Sequence, residues 1–209
     1  MAYKGALMID DRQMIGLMEE VKKHGGLINV HATNGDMIDY LTQKHRSEGK
    51  LSPLYHYLSQ PEITEAEASE RFVDMASYTG CPGYIVHLTC EGALNAVRNA
   101  TRRNQKMFVE TCIQYLILDA SLYEQNFEGA KWVMSPPLRE KKDQQTLWAG
   151  INQGLVQVVA TDHCPFKWEQ KLMGKDDFSK IPNGHPAIEN RMELLFSEGV
   201  AKNKITLNK

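Results

Sequence analysis

The 209-residue chain predicts an α/β fold built on a parallel sheet, and three observations carry that prediction. Short β-branched or apolar runs alternate with stretches of helical periodicity along the whole chain. The connections between successive runs have helix length, which suits crossovers between parallel strands. Three of the runs also end on a chemically loaded residue: 27–31 on His31, 84–87 on His87 and 156–162 on Asp162. In parallel α/β folds the chemistry gathers at the C-terminal ends of the strands.

The elements follow in order. Residues 1–9 read as the end of a strand whose beginning is missing. Asp10 and Asp11 are N-cap candidates for a helix with Met14, Leu17, Met18 and Val21 at i, i+3, i+4, i+7, closed by Gly25-Gly26. The His31 strand comes next, and Asn34-Gly35-Asp36 caps a helix carrying Met37, Ile38, Tyr40 and Leu41. Residues 52–61 are an irregular aromatic stretch. A helix starting at Thr64 turns Ala68, Phe72, Met75 and Ala76 inward, and Gly80-Cys81-Pro82-Gly83 leads into the His87 strand. The next helix buries Ala93, Ala96, Val97 and Ala100, and a strand spans 107–111. An excursion over 112–139 contains Ser135-Pro136-Pro137, which continues neither a helix nor a central strand. A helix over 143–154, with Leu147, Trp148 and Ile151 inward, feeds the Asp162 strand, read as buried on both faces. The loop over 167–184 is long enough to be a binding loop or lid. Pro186 then opens a helix bearing Ile188, Met192 and Leu195. About five strands are visible, where a closed eight-stranded barrel takes roughly 250 residues. The expected architecture is an incomplete (β/α)8 TIM barrel, one partial catalytic barrel domain over 1–209, lacking its first strands and C-terminal part.

Composition narrows the function. With 42% hydrophobic and 24% charged residues the chain can bury an ordinary globular core. A net charge of −2 gives no general pull towards nucleic acid. No apolar run approaches the roughly 20 residues of a membrane helix, and the N-terminus has no signal-peptide pattern. The four cysteines, Cys81, Cys90, Cys112 and Cys164, form no C-x-x-C pair, which suits a reducing, cytoplasmic setting. They read as small buried hydrophobes, Cys164 included.

Neutral imidazoles with a carboxylate are zinc ligands, and a catalytic site leaves one position for water. Taken singly, His31 and His87 read as hydrogen-bonded core residues and Asp162 as a turn cap. Taken together, at equivalent strand ends, they point to a metal site. His163 faces elsewhere by strand alternation and is structural. His24, His45 and His185 read as surface or packing residues, and His56 as part of a packed loop.

A series of motifs then appears in order: Met1-Ala2-Tyr3-Lys4, residues 30–36 (VHATNGD), 86–90 (VHLTC), 110–112 (ETC), 135–139 (SPPLR), 161–164 (TDHC) and 181–184 (IPNG). End to end, the chain resembles the dihydropyrimidinase and D-hydantoinase family of the amidohydrolase superfamily. The SPPLR and IPNG pieces separate it from dihydroorotases. The resemblance implies hydrolysis of a cyclic amide C–N bond, as in 5,6-dihydrouracil or a hydantoin, at two zinc ions bridged by a carboxylated lysine. It implies that His31 and His87 hold the second metal and Asp162 the first, with Asp162 also carrying the proton. Tyr3 matches the tyrosine that holds the oxyanion. Ser135 and Asn183 match positions whose main chain binds the ureide or imide edge. The family's His-x-His pair has no counterpart here, and its lysine is expected upstream of Met1, so the chain by itself is expected to be inactive. A homotetramer is implied, with no nucleic-acid or membrane partner. Thr33 stands where relatives commonly have an acid, and Ile113 where many have proline. Two rival functions remain at this stage: an assembly-forming, non-catalytic relative, and an allantoinase.

Overall fold

The computed structural model describes residues 4–209. Four strands, β1 (Ile28–Val30), β2 (Gly83–Ile85), β3 (Met107–Cys112) and β4 (Val158–Ala160), form a sheet in sequence order. All neighbours are parallel, with Asn29, Tyr84 and Phe108 in register on one face. On the other face Val30, Ile85 and Val109 are buried against a layer of helices. That layer runs α1 (Asp11–Lys23), α4 (Glu62–Thr79), α5 (Glu91–Arg102) and α7 (Lys141–Asn152), each packed on the next. Each parallel pair is thus joined by a helical crossover, the expected βα repeat.

Local chemistry explains the helix ends. Asp10 and Gln13 form a reciprocal capping box at α1. The Asn34 side chain accepts from the Met37 amide at 3.1 Å and starts α2 (Gly35–Ser47). The inward residues expected for α4, α5 and α7 are all buried.

Several expectations are corrected. Among the described residues, 4–10 are turn and irregular chain, not a strand end, and Met1 to Tyr3 lie outside them. Leu17 and Tyr40 are exposed, so α1 buries a narrower stripe (Met14, Met18) and α2 touches the core chiefly through Gly35. Residues 52–61 contain a short helix, α3 (Leu54–Leu58). β3 is followed directly by α6 (Ile113–Ile117), and the 167–184 loop is folded into α8 (Trp168–Lys171) and two short 3-10 turns. Among the described residues β4 lies at one edge of the sheet and Val158 is 39% exposed, so here the strand is not buried on both faces. The last helix starts at Arg191, as α9 (Arg191–Leu194), and the Ala187 and Ile188 amides ahead of it donate to the His163 ring. Ile188 and Met192 point to solvent.

Candidate active site

Each of the three metal-ligand candidates follows a strand at its C-terminal end: His31 one residue after β1, His87 two after β2 and Asp162 two after β4. The sheet therefore presents all three at one end. His87 and Asp162 both have positive φ, 39° and 46°. Non-glycine residues persist there only where their surroundings force them. Glu110 on β3 anchors the segment around His87. Its main-chain oxygen accepts from the Leu88 amide at 2.7 Å, and its carboxylate takes the Tyr84 hydroxyl at 2.8 Å. Thr111 Oγ1 donates to the Leu88 carbonyl at 2.7 Å. On the other side, the Gln114 amide holds the Thr161 carbonyl at 3.1 Å, next to Asp162.

The two imidazoles meet directly. His31 Nδ1 lies 2.9 Å from His87 Nε2, and His31 Nε2 lies 3.0 Å from Thr33 Oγ1. Burial pushes the His31 ring down to about 3, with the neighbouring His87 acting the same way. Burial also lowers His87, opposed by the charges of Asp162, Glu65 and Glu110. Both rings are therefore neutral at physiological pH and able to offer lone pairs. Two nitrogens bound to one zinc at about 2.0–2.1 Å stand roughly 2.9–3.4 Å apart, and the pair falls in that range. His31 Nε2 is engaged by the Thr33 hydroxyl, and it is Nδ1 that faces His87. This donor pair fits a metal ion.

Asp162 is exposed and two strands away from β2, roughly 10 Å at ordinary strand spacing. Its charge is the largest of those that oppose burial at His87, and among the described residues no group of three His, Cys, Asp or Glu side chains gathers at one point. The remaining candidates lie between them. A cleft of about 320 Å³ is lined by His31, Thr33, Gln60, Ser135 and Asn183. A second, of about 130 Å³, is lined by Asp162, Cys164, Ser135 and Asn183. Ser135 and Asn183 form the wall common to both. The Ser135 hydroxyl donates to Gln60 Oε1 at 2.9 Å. Tyr3 lies outside the described residues.

No family model matches the chain. It is 45% identical to a D-hydantoinase of Geobacillus stearothermophilus, over all of this chain and 45% of the relative. A D-hydantoinase of Rhizobium radiobacter is 43% identical, over 99% of this chain and 46% of its own. The solved dihydropyrimidinase of Brevibacillus agri NCHU1002 superposes with a TM-score of 0.98 at 46% identity, covering all of this chain and 46% of the other. This chain belongs to the D-hydantoinase and dihydropyrimidinase family.

The fold is accordingly part of the amidohydrolase-type TIM barrel, and the chain spans about half the length of the hydantoinases it matches. The same fold recurs in an L-hydantoinase of Arthrobacter aurescens, with a TM-score of 0.90 at 24% identity. Among the described residues no helix is long and apolar enough to cross a membrane.

Sequence reasoning missed the groups that hold this hydantoinase-like site in place. Glu65 and Arg139 form a buried ion pair at 3.0 Å. Glu65 takes the Thr89 amide at 2.7 Å and the Thr89 hydroxyl, two residues beyond His87. Arg139 Nε donates to the same hydroxyl at 2.9 Å, and its Nη1 to the Gln60 carbonyl. Glu65 looked like an ordinary first-turn acid, and only its burial betrays it. Arg139 entered only as part of a family motif. His56 is packed as expected, donating to the Met134 carbonyl at 2.8 Å. His163 is structural, also as expected. Cys81, Cys90 and Cys112 are buried, but Cys164 is exposed beside Asp162, against the buried reading.

Proposed function

We propose that these residues belong to a metal-dependent cyclic amidohydrolase that opens small cyclic ureides or imides, with dihydrouracil and hydantoins as substrates. One observation carries the reading: two neutral imidazoles facing each other at 2.9 Å on adjacent strand ends, beside a cleft whose far wall leads to Asp162. His31 and His87 would hold one zinc and Asp162 the other, with a carboxylated lysine completing the centre. When bound, the metals supply an acidified water and Lewis-acid polarisation of the ring carbonyl.

The chain's own residues do the rest. Main-chain groups at Ser135 and Asn183 hold the imide edge, so the ring carbonyl faces the His31 side of the cleft. Asp162 takes the proton of the attacking water as the new C–O bond forms. It then delivers that proton to the ring nitrogen as the C–N bond breaks, leaving a carboxylate and a ureido group. Tyr3 donates its hydroxyl to the developing oxyanion, a contribution of about 3–4 kcal/mol in comparable sites. The partial catalytic domain works within a homotetramer, and a cytoplasmic setting fits four reduced cysteines.

The experiment uses the complete polypeptide that carries residues 1–209. Hydrolysis of dihydrouracil, hydantoin and allantoin is measured beside metal content. We expect chelator-sensitive turnover of the first two and about two zincs per chain, with Asp162→Asn slowing kcat about 10²–10⁴-fold. A metal-free protein without turnover would instead identify a non-catalytic assembly relative, and preferred turnover of allantoin an allantoinase.

A further inference from the structure

Lys171, at the end of α8, is a buried cation that the proposed chemistry does not use. The residue is 3% exposed, and its ammonium makes no salt bridge to any described carboxylate. It donates instead to three main-chain oxygens: Val133 at 2.8 Å, Pro182 at 2.7 Å and Gly184 at 3.0 Å. An ammonium has three donors, and all three are used.

Those acceptors are not scattered. Pro182 and Gly184 flank Asn183, and Val133 lies two residues before Ser135. The Val133 carbonyl also accepts from the Gly184 amide at 3.0 Å, so the two loops meet over the ammonium. The Phe166 ring sits 5.4 Å from Nζ and shields it. Burial pushes the Lys171 ammonium down to about 8. Desolvating a cation is costly, and with no carboxylate to neutralise it the compensation comes from the converging carbonyls.

We propose that Lys171 is a positioning residue for substrate: its ammonium cross-braces the two loops whose main chains bind the imide edge at Ser135 and Asn183. The inference rests on the hydrolase reading for its substrate, but the brace itself is a property of these loops. It sets the width of the wall shared by the two clefts. It touches neither the metal candidates nor Asp162, so losing it should weaken ground-state capture of the ring more than bond breaking.

The test compares wild type, Lys171→Met and Lys171→Arg in the complete polypeptide. Two readouts are taken: steady-state kinetics on dihydrouracil, and amide hydrogen exchange corrected for intrinsic rates. In Lys171→Met we expect KM to rise about tenfold or more, kcat to stay within about threefold, and metal content to be unchanged. Exchange should quicken together in residues 133–135 and 183–185. Lys171→Arg keeps a cation and donors, so its KM should fall between the two. If Lys171→Met does not fold, a KM raised about threefold in Lys171→Arg still supports the brace, and an unchanged KM overturns it. A fall in kcat at constant KM, or faster exchange confined to α8, also overturns it. Should the wild type hydrolyse nothing, the hydrolase reading fails, and the paired exchange response alone decides the brace.

Discussion

Removing the Arg139 guanidinium is the sharpest test of how this site is held. In Arg139→Met the stem is retained in volume, while three contacts disappear: the charge-neutralising one to Glu65 and those to Thr89 and the Gln60 carbonyl. Both partners are almost fully buried, at 4% and 2% side-chain exposure, so solvent screens little. Glu65 keeps its bonds from the Thr89 amide and hydroxyl, yet its charge is left without a counter-ion. Breaking such a pair by removing one partner costs about 3–5 kcal/mol. The double variant Glu65→Gln, Arg139→Met replaces the stranded carboxylate with a neutral amide that can still accept from Thr89. It should therefore recover about half of the loss or more, giving a coupling energy well outside additivity. Urea unfolding followed by tryptophan fluorescence reads both numbers, with midpoints compared at equal slope. A single variant within about 1 kcal/mol of wild type, or a double variant equal to the sum of the singles, would refute the argument.

Two further outcomes follow from the same packing. Burial pushes His56 from 6.5 down to about 4, against the Met134 hydrogen bond. The unfolded chain therefore binds more protons between those values, and stability falls as pH drops from about 6.5 towards 4, by about 2 kcal/mol between pH 7 and 5. His185, lowered to about 4 mainly by burial, acts in the same direction. In His56→Gln the urea midpoint should lose about a third or less of its slope over that range, because His31 and His185 are lowered as well, and an unchanged slope would assign the acid sensitivity elsewhere. Gly184 is a place of close approach: a Cβ there would meet the Cys164 carbonyl at 2.2 Å and its Cβ at 2.9 Å. Gly184→Ala should push the Asn183 loop off the Asp162 loop, lowering stability by about 1–3 kcal/mol and raising KM, both measurable on the purified protein. Retention of wild-type KM and melting temperature would show that the two loops part freely.

Much of this protein was legible in its residues taken in order. Periodicity located β1 to β3 and the buried faces of α4, α5 and α7, because those patterns arise from one face meeting one core. Placing His31, His87 and Asp162 at strand ends needed only the alternation of strand and helix, and the motif series marked the family. Other features depend on neighbours distant in the chain, and local pattern carries no trace of them. Val158 is exposed in this structure, which its own β-branched composition cannot register. α9 starts at Arg191 rather than at Pro186, and the intervening Ala187 and Ile188 amides donate to His163, a partner more than twenty residues away in the chain. Glu65, Arg139 and Lys171 look like surface charges until long-range folding strips their water and fixes each in a buried hydrogen-bond network. Sequence proposed the groups for the chemistry; the packing of separated segments decided which of them touch, which are neutral and what holds them still.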